Sequence, residues 1–316
     1  MRNTITFALV ALVMAPALAQ QPDAKAKAKA KAALLEKINV QPDIEYAKAG
    51  DVSLKLDVYT PKSESQQPRP CVVWIHGGGW QGGNKSGGGG NVGPLVSTGD
   101  YVGASVGYRL TDVASWPAQI HDCKAAIRFL RANAAKYGID ANKIGVWGSS
   151  AGGHLVSLLG TSGDIKEIEG ELGTTGVSSR VSCVVDFCGP SDFLAFGVTN
   201  ARLNEPGQPV YKLLGGPLKD KQELAKQASP VTYVTKDDPA FLIMHGTEDA
   251  TVNIKQAELL YDAQKKAGVD TTFVKIEGGA HGFGGPEVNA RVKAFLDKHL
   301  LGKSVTVSAE PIVAKH

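Results

Sequence analysis

The segment Gly148-Ser149-Ser150-Ala151-Gly152 constrains this chain more than any other. Residues 143–147 before it read as a strand, and residues 151–159 after it read as an apolar helix. A strand that turns at once into a helix holds its central residue in a strained backbone conformation. Small neighbours at 148 and 152 remove the clash that larger side chains would make. The Ser150 hydroxyl is then pushed out at the C-terminal edge of a sheet, with a helix N-terminus beneath it.

The rest of the chain supplies such a sheet. Residues 52–59 alternate apolar and polar, as a half-exposed strand does. The short apolar runs 71–75, 101–108, 181–187, 240–244 and 271–276 read as further strands. Pro117 opens a helix whose apolar residues Ile120, Cys123, Ile127, Leu130 and Ala134 recur by three and four, and Gly138 stops it. Helices are also expected near 254–266 and after Pro286, where Val288, Val292, Phe295 and Leu296 share a side. Alternating strands and helices predict an α/β fold, with a mostly parallel sheet of about eight strands covered on both faces. Residues 191–231, rich in Gly, Pro and Asn with a short polar helix near 218–227, read as a small cap inserted above the sheet.

The ends read differently. Arg2, the apolar run 5–14 and the small-residue site Ala17-Leu18-Ala19 predict a signal peptide over 1–19 and an exported protein, periplasmic or secreted. No later segment reaches 18 apolar residues, so no stable membrane insertion is expected. Residues 20–33 alternate Lys and Ala and read as a solvated tail. The folded domain is placed at 34–302, with a second tail over 303–316. The formal charge of +3 resides in the leading segment: without residues 1–33, 29 basic side chains face 30 acidic ones. The folded part therefore offers no argument for a nucleic-acid partner. Export permits disulfides. Cys183 and Cys188 share one apparent strand, where five residues span about 16 Å, beyond bridging range. Cys71 and Cys123 fall on apolar faces, so four free buried thiols are expected.

A serine nucleophile needs a general base. Of seven histidines, His299 and His316 lie in the terminal helix and tail, and His121 and His154 on helices. His281 sits in Gly278-Gly279-Ala280-His281-Gly282-Phe283 after the last strand, where the chain order Ser…Asp…His puts the base. The acid that orients the imidazole is sought after the strand 240–244, in His245-Gly246-Thr247-Glu248-Asp249. Asp249 is the first choice, Glu248 its neighbour and competitor, and Asp192 the next candidate. The glycines of His76-Gly77-Gly78-Gly79-Trp80 let backbone N–H groups approach a developing oxyanion. The donors expected are the N–H groups of Gly78, Gly79 and Ala151. No Cys/His set has zinc spacing, so no metal is expected. Gly77, Gly79 and Gly82 also fit a dinucleotide fingerprint with Asp100 following. That fingerprint must open a helix, and the further glycines 87–90 read against one.

Together HGGGW (76–80), YRL (108–110), WPA (116–118), GSSAGG (148–153), HGTEDATV (245–252) and GGAHGF (278–283) resemble, in order and spacing, the hormone-sensitive-lipase-like carboxylesterases. The likeness extends over roughly 42–300, in particular to their bacterial feruloyl-esterase-like (BD-FAE-like) branch. Ser149 stands where that group usually has Asp, and Leu110-Thr111-Asp112 where it usually continues YRL with APE. The resemblance implies the α/β-hydrolase fold, no cofactor, and hydrolysis of small or aryl carboxylic esters through an acyl-enzyme, including feruloyl or acetyl esters on plant polysaccharide. Amide, peptide or formamide hydrolysis, or acyl transfer, would use the same three side chains.

Overall fold

A computed structural model describes residues 24–163 and 165–314. The expected signal peptide, the first residues of the Lys/Ala segment and the last two residues lie outside them.

The strands are β1 (Ile38–Ala49), β2 (Val52–Pro61), β3 (Arg69–Ile75), β4 (Val102–Val106), β5 (Ile139–Ser149), β6 (Cys183–Phe187), β7 (Ala240–Gly246), β8 (Thr271–Glu277) and β9 (Ile312–Val313). They form one sheet in the order β1-β2-β4-β3-β5-β6-β7-β8-β9. The β1–β2 and β2–β4 pairs are antiparallel and all others parallel. The parallel strands are apolar without alternation because helices cover both faces. Cys71–Ile75 of β3 and Cys183–Phe187 of β6 are buried throughout.

The helices are α1 (Ala24–Lys37), α2 (Gly88–Val96), α3 (Ala118–Ala132), α4 (Ala134–Tyr137), α5 (Ala151–Thr161), α6 (Phe193–Thr199), α7 (Pro209–Leu214), α8 (Gln222–Ala228), α9 (Lys255–Ala267) and α10 (Pro286–Leu301). One core lies under α3, α5 and α9, around Ile120, Ile127, Leu155, Val156 and Leu260. The other lies under α2 and α10, around Val92, Leu95, Trp74, Trp147, Val292 and Phe295. Helices α6, α7 and α8 fill the stretch expected to form a cap.

Two expectations are corrected and two gain detail. In the Lys/Ala segment Lys29 and residues 31–33 are exposed, as solvated residues are, but from Ala24 the segment is helical and runs into β1. Ala and Lys are strong helix formers, and Leu34 anchors the helix on the second core beside Gly93. Glycines 88–90 open α2 rather than oppose a helix. Among the described residues the sheet has nine strands, in line with the eight or so expected. Strand β1 carries Pro42 and two register shifts, both marks of an edge, which blur its alternation in sequence. The segment 303–314, expected as part of a tail, is tied down: Arg291 Nη1 donates to the carbonyls of Ser308 and Glu310, and Ile312 buries itself where β9 adds beside β8. Among the described residues no helix is long and apolar enough to cross a membrane.

Candidate active site

Every residue singled out for chemistry lies where a parallel strand ends, at the edge where open α/β sheets bind ligands. Ser150 follows β5, Asp249 follows β7, His281 follows β8, and Gly78 and Gly79 follow β3.

Ser150 has φ 58° and ψ −120°, a conformation that costs a non-glycine residue about 1–3 kcal/mol. Its N–H donates to the Phe187 carbonyl at 2.7 Å, and its own carbonyl accepts from the His154 N–H at 3.0 Å. These bonds fasten the turn to β6 on one side and to α5 on the other. Close packing completes it: a side chain at Gly152 would collide with the Ile75 and His76 carbonyls. That is the physical content of the two small flanking positions.

The His281 Nε2 lies 2.9 Å from Ser150 Oγ, and its Nδ1 lies 2.7 Å from Asp249 Oδ2. Asp249 is buried, and its Oδ1 accepts from the N–H groups of Thr251 (2.8 Å) and Val252 (2.9 Å). Burial works against its charged form. The hydrogen bonds from His245, His281 and the Val252 backbone outweigh that and hold the carboxyl well below the usual carboxylate range. Glu248 is exposed, and only its backbone N–H turns inward, to Gly279 O at 2.8 Å. Asp192 caps α6, accepting from the Ala195 N–H at 3.0 Å. Of the three carboxylates weighed, Asp249 alone meets the imidazole.

The glycine loop approaches the serine closely. A Cβ on Gly77 would stand 2.7 Å from Ser149 O and 3.2 Å from Ser150 Cβ, so only glycine lets the loop lie there. The Gly78 carbonyl is occupied by the N–H groups of Gln81 and Gly82 (3.1 and 3.0 Å). Among the described residues no backbone acceptor takes the N–H of Gly78 or Gly79. This tight turn, not a helix start, is what the fingerprint glycines form. Pro209 of the cap packs on the loop: a Cβ on Gly79 would be 3.1 Å from Pro209 Cβ.

Three residues take parts that the sequence reading passed over. His154, buried in α5, accepts from Trp80 Nε1 at 3.1 Å and donates from Nε2 to the Ala228 carbonyl at 2.7 Å. It thus ties the glycine loop to the cap, and burial lowers its pKa to about 4. His245, at the end of β7, places Nε2 3.2 Å from Asp249 Oδ2. Cys188 brings its thiol 3.4 Å from the His281 carbonyl and within 4.8 Å of the Asp249 and His281 donor atoms. Burial pushes that thiol up to about 12, so it stays protonated near neutral pH. The first two were signalled in the sequence by their neighbours, since His245 opens the quoted segment HGTEDATV and His154 directly follows GSSAGG. All four cysteines are free and buried, as expected.

A cavity of about 600 Å³ borders the site between α2 and α10, walled by Trp74, Trp147, Phe187 and Phe283 with Ser149 at its rim. A larger one, about 830 Å³, lies under α1 around Leu34, Tyr59 and Pro94 and contains none of the site residues.

A mostly parallel sheet with this turn after its fifth strand, and partners after the seventh and eighth, defines an α/β-hydrolase. The BD-FAE family model matches residues 56–264, and the chain belongs to that family. Esterase LipC of Mycobacterium tuberculosis (strain ATCC 25618 / H37Rv) is 30% identical over 235 residues, which cover 74% of this chain and 58% of LipC. The chain spans between half and three-fifths of the length of the curated relatives it first matches. Among solved structures it is similar to a truncated carbohydrate esterase from gut microbiota, with 32% identity, a TM-score of 0.77, and 83% and 96% of the two chains covered. It is also similar to an acetyl ester-xyloside bifunctional hydrolase from Caldicellulosiruptor lactoaceticus, with 25% identity, a TM-score of 0.62, and 80% and 86% covered.

Proposed function

We propose that this chain is an exported serine carboxylesterase acting on small or aryl carboxylic esters, among them acetyl or feruloyl esters of plant polysaccharide. One observation carries the chemistry: the unbroken hydrogen-bonded chain Ser150 Oγ–His281 Nε2 and His281 Nδ1–Asp249 Oδ2, at 2.9 and 2.7 Å. His281 takes the Ser150 proton as Oγ attacks the ester carbonyl, and Asp249 stabilises the imidazolium that forms. The N–H groups of Gly78, Gly79 and Ala151 receive the oxyanion, each donor contributing about 3–4 kcal/mol to the barrier reduction. His281 returns the proton to the leaving alcohol, and water then releases the acid by the same route in reverse. The sugar-ester preference is supported by relatives described as a carbohydrate esterase and an acetyl ester-xyloside hydrolase.

The test is a rate panel: p-nitrophenyl esters of increasing acyl length, methyl ferulate, acetylated xylan and aminoacyl amides. Short-chain and aryl esters should be the best substrates, and faster turnover of the amides would refute the ester reading. A serine-directed phosphonate should label Ser150, and Ser150→Ala should stay folded while turnover falls by about 10⁴–10⁶. A label on Ser149 instead would sink the assignment. Cell fractionation with N-terminal sequencing tests export, with Gln20 expected as the first mature residue.

A further inference from the structure

Two imidazoles converge on one carboxylate. His245 is fully buried, and its Nε2 lies 2.7 Å from the Val252 carbonyl and 3.2 Å from Asp249 Oδ2. Both neighbours are acceptors, so the ring proton sits on Nε2 and is shared between them. Asp249 Oδ2 therefore receives His245 on one side and His281 Nδ1, at 2.7 Å, on the other. Its Oδ1 is filled by the Thr251 and Val252 N–H groups. The far nitrogen of His245, Nδ1, is buried with no partner among the described residues. An orphaned acceptor destabilises a core, and an apolar side chain would avoid it. A histidine kept here is explained by what its other nitrogen does.

We propose that His245 is a positioning residue: by donating to Asp249 Oδ2 it fixes the carboxylate plane and limits how strongly that carboxylate draws the proton of His281. This rests on the triad reading above. Two backbone donors hold one oxygen, and the lateral imidazole holds the other, so the carboxylate cannot turn away from His281. A carboxylate deprived of that donor is a stronger base. It would stabilise the His281 imidazolium more, and the base would become available only at higher pH.

Other groups face this centre. From β6 come Asp186, buried and raised by burial to about 6, and Cys188 just beyond the strand. From the β7 loop come Asp249 and the exposed Glu248. Asp186 accepts from Ser157 Oγ and the Gly189 N–H, both at 3.0 Å. Its ionised form interacts with His245, so its contribution must be separated.

The experiment compares His245→Gln, whose amide nitrogen keeps a donor near Nε2, with His245→Leu, which fills the space without one. Each is measured for kcat and KM on p-nitrophenyl acetate across pH 5–9, for phosphonate labelling of Ser150, and again with Asp186→Asn added. The Leu variant should lose about 10- to 100-fold in kcat at nearly constant KM, the span set by one hydrogen bond to a charged group. The acid limb of its pH profile should move upward, also with Asp186→Asn. The Gln variant should keep the wild-type limb and most of the rate. An unmoved limb in the Leu variant, or equal impairment of both variants, overturns the inference and leaves the triad standing if Ser150 is still labelled. Failure to label Ser150 in the wild type removes the triad itself. Should neither variant fold, nitrogen-15 NMR of the wild-type histidines decides: a His245 proton on Nε2 supports the inference, and one on Nδ1 overturns it.

Discussion

His154 should make the protein acid-sensitive in one measurable way. Its ring is fully buried, accepts from Trp80 Nε1, donates to the Ala228 carbonyl, and contacts Phe193 and Trp116. Burial lowers its pKa from the ordinary 6.5 to about 4. Its folded pKa lies below the unfolded one, so between these limits the unfolded chain binds a proton that the folded one refuses. Stability is then fully present above about pH 6.5, declines by about 1.4 kcal/mol per unit below it, and levels off near pH 4. The 2.5-unit span amounts to about 3 kcal/mol. His154→Gln removes the titration, keeps a donor for Ala228 and leaves the Trp80 N–H unpaired. That should destabilise the fold at pH 7.5 by about 1–3 kcal/mol. Urea unfolding at pH 7.5 and 4.5, followed by tryptophan fluorescence, should show the wild type losing about 2–3 kcal/mol more than the variant on going to the lower pH, which closes or reverses the gap. Other titrations common to both proteins cancel in the difference. A gap of equal size at both pH values would refute the reasoning, because it would mean that the buried ring takes up its proton without penalty.

Asp249→Asn should lower turnover by about 10⁴, while Glu248→Gln, altering an exposed side chain, should change it less than about tenfold; steady-state kinetics on one aryl ester checks both. Gly152→Ala should destabilise the protein by about 3 kcal/mol or abolish folding, because the new methyl meets the Ile75 and His76 carbonyls; a melting temperature equal to wild type would show that the turn has slack. Thiol titration after denaturation should count four free cysteines, and two or fewer would contradict the packing.

The sequence by itself determined the features that local chemistry dictates. A strand running into Gly148–Gly152 can do little but turn sharply and present Ser150, and apolar runs at strand length can pair only in a sheet buried on both faces. His281 and the glycines after β3 were legible because the order of segments places them at one sheet edge. What was missed depended on contacts distant in sequence. The Lys/Ala segment has no apolar face of its own, and its helix docks through Leu34 on α2. Strand β9 exists only because Arg291 and β8 receive it. Asp249 and Glu248 are adjacent in the chain, and the way the loop after β7 turns against Gly279 decided which carboxylate meets the imidazole. The partners of His154 and His245 are likewise tertiary facts. A buried ring nitrogen takes its role from whichever donor or acceptor the fold brings within 3 Å or so, and no local spacing encodes that.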